Sequence, residues 1–123
     1  MFYPETKQFI DLAEKGNLIP VTRTVLADFD TPCSAYQKLR GQGESFLFES
    51  VEGGEHLGRY SFVGCNPRAV IKQKGDQIEV IQNGKVLNHY QVVGALASSL
   101  KENEVRDGLE AVEKTLKQFR YVP

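Results

Sequence analysis

Two dipeptides, Gly75-Asp76 and Asn83-Gly84, constrain this chain more than any other feature of it. Each has the composition that a two-residue hairpin turn demands, glycine first for type II′ and Asn-Gly for type I′, because these residues take a positive φ at little or no steric cost. They separate three runs, Ala69 to Lys74, Gln77 to Gln82 and Lys85 to Tyr90, and so predict a three-stranded antiparallel meander. Its middle is polar through Gln73, Gln77, Glu79 and Gln82, which predicts one solvated face.

The rest of the chain supplies short elements around this meander. Phe9, Ile10, Leu12 and Ala13 recur on a helical period between Glu5 and Glu14, with Gly16 placed to stop the helix. Leu18 to Leu26 is rich in β-branched residues and reads as extended, Pro20 favouring an edge or a strand start. Asp28, Asp30 and Thr31 stand before Pro32, the capping oxygens and N1 proline that open a helix, here predicted from Pro32 to Arg40 with Gly41 ending it. From Ser45 the period becomes two. Phe46 and Phe48 alternate with Leu47 and Val51, so this strand is expected to be buried on both faces. Gly53-Gly54 marks a turn, Leu57 to Val63 returns as the second strand of a hairpin, and Pro67 ends it. Val92 to Leu100 fits a short helix or a loop equally well. Leu109, Val112, Leu116 and Phe119 form a helical stripe, with Glu110–Lys114 and Glu113–Lys117 in the favourable i,i+4 order, and predict one buried helix face. The fold class expected is α+β, a mainly antiparallel sheet with short packing helices.

Length and charge exclude more than they assign. The 123 residues are one domain's worth of chain, and 41% hydrophobic residues is an ordinary globular content. Fifteen basic against sixteen acidic residues, interspersed, leave a net charge of −1, so no nucleic-acid or anionic-membrane partner is expected. No apolar run approaches the roughly 18–20 residues of a membrane span, and the start lacks the pattern of a secretory signal, which makes the cytoplasm the expected compartment. Two cysteines, Cys33 and Cys65, and two histidines, His56 and His89, lie too far apart in sequence for a structural zinc set, and each thiol is read as buried and inert.

Chemistry concentrates at Glu49, Ser50 and Arg59. A carboxylate in a strand buried on both faces loses its hydration and requires a cation or donor. Arg59 on the return strand could meet it, an ion pair that fixes the hairpin; alternatively Glu49 and Ser50 present an acid and a hydroxyl to a small zwitterionic ligand between apolar walls. His56 in its glycine-rich turn reads as solvated, Gly41-Gln42-Gly43 follows a helix where a phosphate loop would precede one, and Asp28 and Asp30 serve the start of the helix.

Pro20-Val21, Ala27-Asp28, Thr31-Pro32 and Ala35-Tyr36-Gln37-Lys38-Leu39 closely resemble the opening of the anthranilate synthase component I family. Ser45 to Glu55, with Gly58-Arg59-Tyr60-Ser61-Phe62-Val63-Gly64 and Asn66-Pro67, is similar to that family's most recognisable N-terminal block. The resemblance implies that residues 1–123 are the N-terminal regulatory domain of a longer chorismate-utilising lyase, whose catalytic residues, chorismate site and Mg²⁺ site lie in a C-terminal part absent from this chain. It implies a glutamine amidotransferase partner, component II, that supplies ammonia, and feedback inhibition by L-tryptophan. The family's Leu-Leu-Glu-Ser strand walls the tryptophan site and falls on Leu47, Phe48, Glu49 and Ser50. Phe48 departs from the usual leucine, and Arg59 supports the hairpin. Beyond Pro123 the family continues into a Pro-Pro-Phe-x-Gly-Gly segment, so a continuation is expected, and the chain alone is expected to expose apolar surface and to self-associate. The related component of aminodeoxychorismate synthase, which shares this domain, and a stand-alone amino-acid-binding module are the alternatives.

Overall fold

The chain's elements run α1 (Thr6–Ala13), α2 (Pro32–Leu39), β1 (Ser45–Glu49), β2 (Ser61–Cys65), β3 (Ala69–Lys74), β4 (Gln77–Gln82), β5 (Lys85–Val92), β6 (Glu104–Val105) and α3 (Gly108–Leu116). They are taken from a computed structural model that describes residues 1–50 and 60–123. Two compact units are present, one of Met1–Val25 with Ala69–Pro123 and one of Leu26–Arg68. The α+β class is as expected, an antiparallel hairpin and a four-stranded mixed sheet with short helices.

In the first unit the two turns do what their composition dictates. Asn83 and Gly84 both have positive φ, 52° and 73°, the type I′ pattern, while at the other turn only Gly75 does, at 62°, as type II′ requires. The turns set the register, Lys74 opposite Gln77 and Gln82 opposite Lys85. That register corrects the expected polar face. Odd residues of β3 pair with even residues of β4, so Gln73 lies opposite Ile78 and Gln82 shares its face with the core, while Gln77 and Glu79 turn the other way. The sheet is also wider than a meander, because β6 adds in parallel beside β5, Val92 opposite Val105. The preceding segment is a loop.

The core of this unit is Ile78, Val105 and Ala111, each fully buried, with Ile71, Tyr90 and Val92 packed around them. Here the stripe on α3 departs from expectation. Ala111 makes the buried contact, whereas Leu109 is 79% exposed, Leu116 60% and Phe119 40%. Small residues set the approach: Ala111 fits against the sheet, and at Gly108 the Gln73 amide oxygen occupies the place a β-carbon would take. The larger apolar side chains are rotated off the contact, and Leu109 and Val112 edge a cavity of about 410 Å³ floored by Ile71 and Ile78.

The unit's two chain segments are clasped together. Backbone N–H groups of Asn17 and Leu18 donate to the Arg120 carbonyl at 3.0 and 3.1 Å, Val122 N–H donates to the Leu18 carbonyl at 3.0 Å, and the Asn17 amide donates to the Gln118 carbonyl at 2.8 Å. Gly16 permits this, since the Arg120 carbonyl and the Val122 side chain fill the space of a β-carbon there. Leu18 to Leu26 is extended as expected but makes only single bridges, Leu18 with Tyr121 and Thr22 with Tyr3, in place of a full strand.

In the second unit α2 starts where Thr31-Pro32 predicts. Thr31 Oγ1 accepts from the Ser34 N–H at 3.1 Å, and Ser34 Oγ accepts from the Thr31 N–H at 2.9 Å, a reciprocal cap with proline at N1.

The position of the core makes a contrast that urea denaturation of the 123-residue chain measures. Ile78→Ala is expected to cost about 2–5 kcal/mol. Leu109→Ala, on the exposed stripe, is expected to stay within about 0.5 kcal/mol.

Candidate functional site

The hairpin that carries the sequence-predicted residues is a regular antiparallel ladder. Phe46 pairs with Gly64, Leu47 with Val63, Phe48 with Phe62 and Glu49 with Ser61. The Ser50 N–H donates to the Tyr60 carbonyl at 2.9 Å, so the ladder runs one step past β1. Alternation then sorts the side chains. Leu47 and Glu49 point to one face, and Phe46, Phe48 and Ser50 to the other.

The two faces are unequal. Ser45 and Leu47 are half-buried on the side of α2, where Ser45 Oγ meets the Tyr36 hydroxyl at 3.4 Å. On the opposite face Phe46 is 45% exposed, Phe48 65%, Phe62 62% and Tyr60 70%. The expectation of a strand buried on both faces is therefore corrected: one eight-residue helix covers one face of a two-stranded ribbon, and among the described residues of the unit no other element lies on the second. Glu49 is exposed and keeps its hydration, so burial forces no partner on it. Ser61 stands directly opposite Glu49. Arg59, with Val51, the Gly53-Gly54 turn, His56 and Leu57, lies outside the described residues. Since Glu49 and Ser50 emerge on opposite faces, a ligand that touches both must lie across the end of the strand.

What sequence reasoning missed is the aromatic packing on the Ser50 face. The Phe46 and Phe48 rings pack with centroids 4.9 Å apart at 32°. The Phe46 ring lies across Gly64, where its Cε1 and Cζ occupy the place of a β-carbon. A glycine paired with an aromatic across a strand was the available signal, and it requires the register to be known.

Comparison with known proteins bears on this hairpin and its surroundings. Anthranilate synthase component 1 of Synechocystis is 47% identical over 87 residues, 69% of this chain and 17% of that protein. The protein of that name from Pseudomonas putida is 42% identical over 92 residues, 74% of this chain and 19% of its own length. That from Acetivibrio thermocellus is 44% identical over 72 residues, covering 58% and 15%. The chain is similar to anthranilate synthase component 1. It spans less than a fifth of the length of these curated relatives. No family model and no solved structure matches it.

In this component 1-like chain the remaining candidate residues have structural surroundings. Among the described residues no three His, Cys, Asp or Glu side chains converge to hold a metal ion. No described helix is long and apolar enough to cross a membrane. Cys65 is half-buried, but Cys33 is exposed, contrary to expectation, because α2 turns Ser34, Ala35, Tyr36 and Leu39 inward and leaves its second residue outside. His89 is exposed on β5. Gly41 and Gly43 take positive φ, 92° and 79°, in a loop after α2. Asp30 belongs to the helix start: it accepts from Lys38 Nζ at 2.7 Å and from Ser34 Oγ at 2.9 Å, and these hydrogen bonds, that from Lys38 foremost, hold its carboxyl below the ordinary 3.8.

A folded pKa below the unfolded one stabilises above the unfolded value, and the contribution is lost as pH falls through the folded one. The Asp30 contribution is therefore expected to be constant from neutral pH down to about 4 and to vanish below that. Comparing the wild type with Asp30→Asn across pH 7 to 2 by thermal denaturation checks it: the stability difference between them shrinks only at the acid end.

Proposed function

We propose that this chain is the N-terminal, feedback-regulatory part of an anthranilate synthase component 1. The whole enzyme is a lyase that converts chorismate and ammonia to anthranilate with loss of pyruvate, in tryptophan biosynthesis, and L-tryptophan inhibits it. What supports the reading is the 40–47% identity to proteins of that name, together with an accessible polar pair, Glu49 and Ser50, at the end of a strand whose Ser50 side carries Phe46 and Phe48.

On this reading the residues described here bind effector and perform no chemistry. The Ser50 hydroxyl meets the carboxylate of the amino acid, the Glu49 carboxylate meets its ammonium, and Phe48 offers an apolar surface to its ring; Leu47, on the α2 side, holds the strand in place. Chorismate, Mg²⁺ and the ammonia-delivering amidotransferase subunit are assigned to the part of the full-length protein outside this chain, and the compartment is the cytoplasm. Inhibition then requires that tryptophan bind the inactive arrangement of the whole enzyme better than the active one. Such coupling is typically about 1–3 kcal/mol, so the loss of one wall contact is enough to relieve it.

Two measurements test this. Ser50→Phe in the full-length protein is expected to weaken tryptophan inhibition by about tenfold or more; unchanged inhibition rules out the site. Because the effector site is shared with the rest of the enzyme, the 123-residue chain is expected to bind tryptophan weakly or not at all in titration calorimetry, and tight, submicromolar binding contradicts a shared pocket.

A further inference from the structure

The Phe46–Phe48 pair has a foundation that the proposed effector role leaves unused. Phe46 is paired with Gly64 across the hairpin, and its ring lies directly on that residue. A β-carbon on Gly64 would coincide with Cε1 and Cζ of the ring and stand 3.0 Å from Cδ1. Gly64 has no positive φ to explain a glycine there. Its backbone is ordinary strand, and what the position requires is the absence of a side chain. Phe48 in turn rests on Phe46, and Ser50 is the next side chain along the same face. The chain of contacts runs from Gly64 through Phe46 to Phe48, and it ends beside the hydroxyl.

We propose that Gly64 is a positioning residue for the effector face: the missing side chain seats the Phe46 ring, the seated ring holds Phe48 at its observed height, and the pair forms the apolar surface on which the ring of an aromatic amino acid is taken beside Ser50. This rests on the effector reading above. Any side chain at residue 64 lifts Phe46 off the strand, because an exposed ring with solvent beyond it can move outward whereas the paired backbone cannot. The consequence is a changed surface at Phe48 with the ladder still intact.

The seat itself is tested in the 123-residue chain by NMR and denaturation. The Gly64 α-protons are expected upfield of their random-coil position, through the ring current of Phe46, and the shift is expected to disappear in Phe46→Leu. Gly64→Ala is expected to lower the urea midpoint in the wild-type background and to do so much less in the Phe46→Leu background, since leucine leaves room for the new methyl group. Random-coil Gly64 protons, or an equal loss in both backgrounds, overturn the seat. The regulatory consequence is read in the full-length protein, where Gly64→Ala is expected to raise the tryptophan inhibition constant about tenfold relative to the KM for chorismate. The Gly64→Ala/Phe46→Leu double variant is expected to be inhibited like Phe46→Leu alone, because leucine leaves room for the new methyl group. Inhibition of Gly64→Ala equal to wild type overturns the positioning role, while a wild-type protein that tryptophan does not inhibit overturns the effector reading and leaves the seat to the NMR and denaturation results.

Discussion

Among the described residues each sheet has one helix packed against it, α2 on the hairpin and α3 on the larger sheet, and most of the structure follows from that shortage. A sheet has two faces, and an apolar face left to water forgoes about 25 cal/mol for every Å² it could have buried. In the larger unit the face chosen is the one carrying Ile78, with Val80 beside it, and α3 reaches it through Ala111. In the hairpin unit α2 takes the Leu47 side and leaves the Phe46 side open. The resulting core of the larger unit is small, and in the hairpin the exposed Phe46, Phe48, Phe62 and Tyr60 share the face left over.

The effector site we propose lies on one of those leftover faces. A ligand surface must be accessible and still held in shape, and the Phe46, Phe48 and Ser50 face meets both needs: it is open to solvent, and a backbone ladder that continues to the Ser50 N–H fixes the spacing of its side chains.

Much of the fold was legible because it is local. The two turns, the Thr31-Pro32 helix start, the Gly16 stop and the alternation in β1 all depend on residues within a few positions of one another, and each stands where it was expected. Errors arose where a decision was not local. The apolar stripe of α3 was read correctly as a stripe and wrongly as the buried one, since periodicity says that a helix has an apolar side but not which side meets a neighbour when an alanine and a glycine allow closer approach. Gln73 was placed with Gln77 because both are polar; the register, set by a two-residue turn, puts them on opposite faces. Glu49 was thought to need a partner because both faces of its strand looked apolar, and the number of helices available to cover them is not written in that strand.

By itself the sequence determined the two hairpin turns, the start of α2, most of the strands and helices, and the resemblance to anthranilate synthase component 1, because backbone preference and a shared string of residues are both properties of neighbours in the chain. Only the tertiary structure decided which faces are covered, that β6 joins the sheet in parallel, that residues 16–18 clasp residues 118–122, and that Gly64 lies beneath Phe46. These depend on which surfaces win a limited supply of packing partners, and that competition is settled between elements, not within them.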